Sequence, residues 1–212
     1  MTRENTGGSA GGQDSGKHQD SGRHEDSGTS DGRGKANGEG RGNGDVSAGM
    51  CWSAVEAAVP EFAGRVRERF GAYQHHVLAT LRKDGAPRLS GLEADFRYGE
   101  LWLGMMPGSY KALDLRRDPR FALHANPGPG ADMADGDVRV SGLAFEVTDP
   151  EVVARYAAEV KPPEPFHLFR TELTELVRTS LEDPYIVLES WRPGRPLRTV
   201  RRKGDDSPPE VG

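Results

Sequence analysis

The chain has a single cysteine, Cys51, in 212 residues. That excludes an internal disulfide and any multi-cysteine metal site. Residues 1–49 contain no Leu, Ile, Phe, Tyr or Trp, yet they hold 14 of the 28 glycines. Such a stretch buries too little apolar surface to offset its conformational entropy, and it predicts a disordered tail. The hexads QDSGKH, QDSGRH and EDSGTS follow one another there. Three short polar copies are too few for a solenoid and read as low complexity, with the two histidines solvated rather than metal-binding. No apolar run follows the N-terminus and none is long enough to span a bilayer, so the expectation is a cytoplasmic protein without membrane association. A basic stripe is also missing: from residue 50 to 212 there are 22 Lys+Arg against 25 Asp+Glu, which argues against nucleic acid. Nor does the chain carry a Ser-His-Asp set, a His-Glu-x-x-His or a glycine-rich nucleotide fingerprint, and no catalytic side chain is indicated.

What is present is a domain of about 160 residues, long enough for a core of its own. Its bounds are set at 50–203, with 204–212 read as a frayed end. Ser53 and Glu56 have capping-box spacing. Pro60 suits the first turn of a second helix, on which Phe62, Val66 and Phe70 form one apolar stripe. VLATLR then runs to Lys83-Asp84-Gly85, a hairpin signal, and PRLSGLEADF and ELWLGMM follow around Tyr98-Gly99. A helix capped by Ser109 ends at Asp118-Pro119, because the residue before proline disfavours the helical region. RFALHA, a Gly/Pro-rich loop, and DVRVSGLAFEVT come next, the last with its apolar phase switching at Gly142, as at a bulge. Asp149-Pro150-Glu151 opens a helix with Val152, Val153, Tyr156, Ala157 and Val160 on its apolar side. FHLFRTELTELVRTS, YIVLESW and LRTVRR complete the set. Many strands with hairpin turns and a few flanking helices favour a mainly β, closed or split antiparallel barrel.

The stretch MMPGSYKALDLRRDPR joins a strand end to a helix start. Free backbone N–H groups, the positive dipole end, Ser109 and Lys111 together suit a phosphate. The plainer reading is a Ser cap and a solvated lysine. His124 and His167 alternate with apolar residues and read as packing histidines rather than catalytic or haem-ligating groups, and His75-His76 as a solvated strand edge. Arg116-Arg117 suit the helix C-terminus.

The blocks LATLRKDGAPRLSGLEADF, ELWLGMMPGSYKALDLRRDPRFALH, DVRVSGLAFEV and SWRPGRPLRTVRR, in this order, resemble the FMN-binding split-barrel family, whose best-known member is pyridoxamine 5′-phosphate oxidase. The resemblance covers about two-thirds of the chain, Phe62 to Lys203. It implies an FMN-dependent oxidoreductase acting on a small molecule, assembled as a homodimer with the flavin at the interface. It implies a phosphate held by Arg88, Ser109 and Lys111, with Tyr110 standing where the family has a further arginine. Gly104 and Met105 replace a Tyr-Thr pair near the flavin ring, Glu93 replaces a lysine, and Asp137 a glutamine. Trp191 and Arg201 keep the spacing of a tryptophan and arginine that approach the flavin, whereas Leu197-Arg198-Thr199 replaces the substrate motif. The departures argue against vitamin B6 as substrate. A deazaflavin cofactor on the same fold, with Arg116 meeting its longer anionic tail, and a non-enzymatic flavin or haem carrier are the alternatives.

Overall fold

The computed structural model describes residues 48–128 and 136–212. The 1–49 tail, save its last two residues, and most of the Gly/Pro-rich loop lie outside the described residues. In chain order the elements are α1 (Trp52–Ala58), α2 (Pro60–Gly71), β1 (His75–Leu81), β2 (Pro87–Arg97), β3 (Glu100–Met105), α3 (Tyr110–Arg117), β4 (Arg120–His124), β5 (Asp137–Glu146), α4 (Pro150–Val160), β6 (His167–Glu182), β7 (Tyr185–Trp191), β8 (Arg198–Lys203) and β9 (Glu210–Val211).

The local signals act as the sequence predicts at most joints. Asp84 accepts from the Ala86 N–H, and Gly85 takes a positive φ of 83° in the β1–β2 turn. Tyr98 and Gly99 both have positive φ, 54° and 75°, which matches the twist of a two-residue hairpin between β2 and β3. Asp149 caps α4 through the Glu151 N–H at 2.9 Å. At Gly142 the β5–β6 register shifts, and a Cβ there would stand 2.0 Å from the Glu172 carbonyl oxygen.

All strand pairs are antiparallel, in the order β3-β2-β1-β4-β5-β6-β7-β8-β9. A further pairing of β3 with β6 closes β1 to β6 into a six-stranded barrel. β6 is long enough to serve two neighbours on one edge. His167–Arg170 bonds β3, and Leu176–Glu182 bonds β7.

Leu78, Leu92, Leu101, Leu103, Leu123, Val138 and Val140 fill the interior with Trp52, Phe62 and Val66 of α1 and α2. On β3 the alternation of side chains puts Leu101 and Leu103 into that core, while Trp102 joins Tyr156 and Leu168 in a second cluster beneath α4.

Three expectations are corrected. The α1 N-cap is Cys51, not Ser53, and no side chain caps it. The Ser53 N–H instead donates to the Gly99 carbonyl at 2.8 Å, so the β2–β3 turn supplies the acceptor. His76 is not at a solvated edge: it shares the inward phase of Leu78 and Thr80 and is 2% exposed. The end after Lys203 is not wholly frayed, because β9 pairs β8 and Gly212 exchanges two hydrogen bonds with Thr199. The unpaired edge of β8 provides the template.

Candidate functional site

A cavity of about 840 Å³ opens beside the ends of β2 and β3. β2 contributes Gly91 to Asp95, and β3 contributes Gly104 and Met105. The end of α2, the end of α4 and the segment around Phe166 form its walls, and Lys111 reaches it from α3. Gly91 and Gly104 leave room there: a Cβ on Gly91 would meet nothing within 4 Å, and one on Gly104 only the Tyr156 hydroxyl at 3.9 Å.

The acids of this cavity have partners. Arg97 bonds Asp95 at 2.8 Å and Glu159 at 2.9 Å. Glu93 accepts from Gln74 at 2.9 Å and lies 3.5 Å from His75 Nε2. Lys111 has no carboxylate partner among the described residues; its Nζ donates to the Gly91 carbonyl at 2.5 Å. Burial pushes its pKa down, the mark of a cation short of solvent.

Ser109 occupies the α3 N-cap with extended backbone, yet its hydroxyl caps no N–H. That hydroxyl is buried and without a hydrogen-bond partner. The first turn of α3 is therefore left with its donors uncapped, two residues before the Lys111 ammonium.

Arg88 is differently engaged. Its Nε donates to Asp114 at 2.6 Å, and its guanidinium lies 4.9 Å from the centre of the Tyr110 ring. Asp114 also accepts from Thr80 at 2.9 Å and from Arg117 at 3.0 Å. Burial pushes the Asp114 carboxyl up, but the hydrogen bonds from Arg88, Arg117 and Thr80 outweigh it and hold the pKa below the usual range. The carboxylate thus ties α3 to β1 and β2 and takes one face of Arg88.

Of the sequence-predicted residues, Met105 and Lys111 line the cavity, Ser109 stands at the head of the same helix, and Arg88 reaches that helix through Asp114. Trp191 is packed in the main core, and Arg201 lies on β8, 3.7 Å from Glu182; neither lines the cavity. Arg116 makes two bonds to Glu146, at 2.6 and 2.7 Å. His167 Nδ1 lies 2.8 Å from the same Glu146, and His124 Nδ1 2.6 Å from the Ala125 carbonyl oxygen. Tyr156, Glu159 and Phe166 line the cavity without having been marked in the sequence. Tyr156 was legible only as part of an apolar helix stripe; its polar tip was the available signal.

Among the described residues no group of three or more His, Cys, Asp or Glu side chains is placed to hold a metal, and no helix is long and apolar enough to cross a membrane. The residues present do fit a phosphorylated aromatic cofactor. An uncapped helix start, an unpartnered hydroxyl and a lysine without a carboxylate are donors in search of an anion. Leu92, Met105 and Phe166 offer apolar surface beyond them, in a volume usual for small-molecule sites.

No protein-family model and no curated protein matches the sequence. Solved structures do. A Listeria innocua protein provisionally assigned as a pyridoxamine 5′-phosphate oxidase is 16% identical, over 54% of this chain and 95% of its own, with a TM-score of 0.45. General stress protein 26 of Bacillus anthracis is 18% identical over 61% and 96%, TM-score 0.46. A heme-binding protein of Mycobacterium smegmatis is 18% identical over 60% and 56%, TM-score 0.49. Closure of β1 to β6 through the β3–β6 pairing, with β6 shared between barrel and extension, makes this chain an antiparallel split β-barrel.

Proposed function

We propose that the chain binds FMN in this cavity and is an FMN-dependent oxidoreductase acting on a small molecule other than a B6 vitamer. The observation that carries the reading is the Lys111 ammonium, desolvated and without a carboxylate, two residues after the unpartnered Ser109 hydroxyl at an uncapped helix start. The cofactor supplies electron and hydride transfer when bound. The chain's residues bind, orient and shield it. Lys111 and the first-turn N–H groups neutralise the phosphate, while Leu92, Met105 and Phe166 present apolar surface that keeps water from the ring. Engagement of Arg116 by Glu146 weighs against the longer-tailed deazaflavin, and the absence of His124 and His167 from the cavity lining weighs against either as a ligand to a haem bound there.

The reading includes a homodimer. Leu89 on β2 and Met106 and Tyr110 around the start of α3 are exposed by 71%, 73% and 71%, an apolar set beside the cavity that suits a second copy. In such a pair the exposed Arg201 of one chain approaches the cavity of the other, while Trp191 stays in its own core.

The test is an FMN titration followed by flavin fluorescence, with the deazaflavin cofactor in parallel. Lys111→Ala removes one charge-assisted contact and is expected to weaken FMN by about tenfold or more, with the fold intact. Arg88→Ala is the poorer variant, since it also strips Asp114 of a partner. An unchanged dissociation constant in Lys111→Ala refutes the phosphate seat.

A further inference from the structure

Tyr156 is 5% exposed, and its ring is held between Trp102, 5.9 Å away, and Phe166, 6.1 Å away. The hydroxyl at the tip of this buried ring makes no hydrogen bond to any described residue, although Asp95, Arg97 and Glu93 are close enough to act on it electrostatically, and its oxygen keeps accessible surface. It faces the cavity instead: Tyr156 is part of the lining, and the oxygen stands 3.9 Å from where a Gly104 Cβ would be. The three charged neighbours do not compete for it. Arg97 is shared between Asp95 and Glu159, and Glu93 is taken by Gln74.

We infer that Tyr156 is a ligand-contacting residue of this cavity, its hydroxyl donating a hydrogen bond to a carbonyl or ring acceptor of a conjugated molecule bound against β3. The ligand class follows from what surrounds the hydroxyl. Met105 and Phe166 favour a flat apolar body, and the absence of a side chain at Gly104 leaves space for its edge. Burial and the charge of Asp95 push the phenol pKa up to about 12, so the group remains a donor across the physiological range. It neither adds charge to the site nor gives up its proton there; it orients. This inference rests on the cavity being the cofactor site proposed above, and Tyr156 then marks the end of the cofactor remote from the phosphate.

The experiment uses Tyr156→Phe in the full chain, which keeps the ring packing and removes only the hydroxyl. With FMN as probe, its dissociation constant is expected to rise about three- to tenfold, the worth of one neutral hydrogen bond, with an unchanged thermal midpoint. Equal FMN affinity in the two proteins overturns the inference while leaving the FMN reading intact. If neither protein binds FMN, the FMN reading fails and the inference is decided with menadione, a flat dicarbonyl without phosphate, followed by quenching of tryptophan fluorescence. Weaker menadione binding by Tyr156→Phe than by wild type sustains it. Equal binding, or none, overturns it.

Discussion

His76 is a buried imidazole. Its ring meets Phe70 edge-on at 4.9 Å, and its Nδ1 accepts from the Asn126 N–H at 3.3 Å. Burial first, and the neighbouring His75 second, push its pKa from 6.5 down to about 4. The fold therefore prefers the neutral ring, and the unfolded chain takes up the proton first. Stability from this group is complete above pH 6.5 and is lost as pH falls from 6.5 towards 4. At about 1.36 kcal/mol per pKa unit, the full loss is about 3 kcal/mol, and about 2–3 kcal/mol of it is reached by pH 4.5. Carboxylates held low by their partners add their losses further down; Asp118, at about 2 beside Arg120, is one. Urea unfolding between pH 7.5 and 4.5, compared between wild type and His76→Gln, isolates the histidine. The wild-type midpoint is expected to fall by about 1 M urea for a chain of this size. His76→Gln retains an acceptor for Asn126 but cannot titrate in this range, and its midpoint should stay nearly flat. Parallel pH profiles for the two proteins, or an imidazole that titrates near 6.5 by NMR, would refute the reasoning.

Asp114→Asn is expected to cost about 2–3 kcal/mol in urea unfolding, because two charged donors lose an ionic acceptor. The same change frees Arg88 and should tighten FMN several-fold in the fluorescence titration; weaker binding by a folded variant would mean that the carboxylate shapes the seat instead of competing for it. Gly142→Ala drives a Cβ against the Glu172 backbone, which has no rotamer with which to yield, and should cost about 2–3 kcal/mol, read as a fall of roughly 5–10 °C in Tm.

The hairpins and the third and fourth helices were legible because their signals are contained within a few residues. Asp84-Gly85, Asp118-Pro119 and Asp149-Pro150 each dictate a local conformation that the tertiary structure has no reason to override. The bulge at Gly142 was legible for a similar reason, as a phase change within a single strand. Of the misreadings, one has a long-range cause and one a local one. Ser53 has the look of a cap, but its amide is met by the carbonyl of Gly99. The His75-His76 pair looks polar, yet strand alternation sends one outward and the other inward, and counting back in twos from Leu78 identifies His76 as the buried member. At the site, Ser109 and Lys111 could be named from four adjacent residues. The engagement of Arg88 by an acid 26 positions away and the arrival of Tyr156 from α4 depend on the barrel having closed, and no local pattern announces either.

The long strand β6 has one edge divided between β3 and β7. Barrel closure is therefore completed by four residues, and the strand beyond them is at liberty to carry other material. The β7–β9 extension, anchored to the core at Trp191, can vary in length and charge at its outer end without opening the ring that holds the cavity. A split strand of this kind is a grafting point: barrel closure and the outer extension are held by different lengths of one strand.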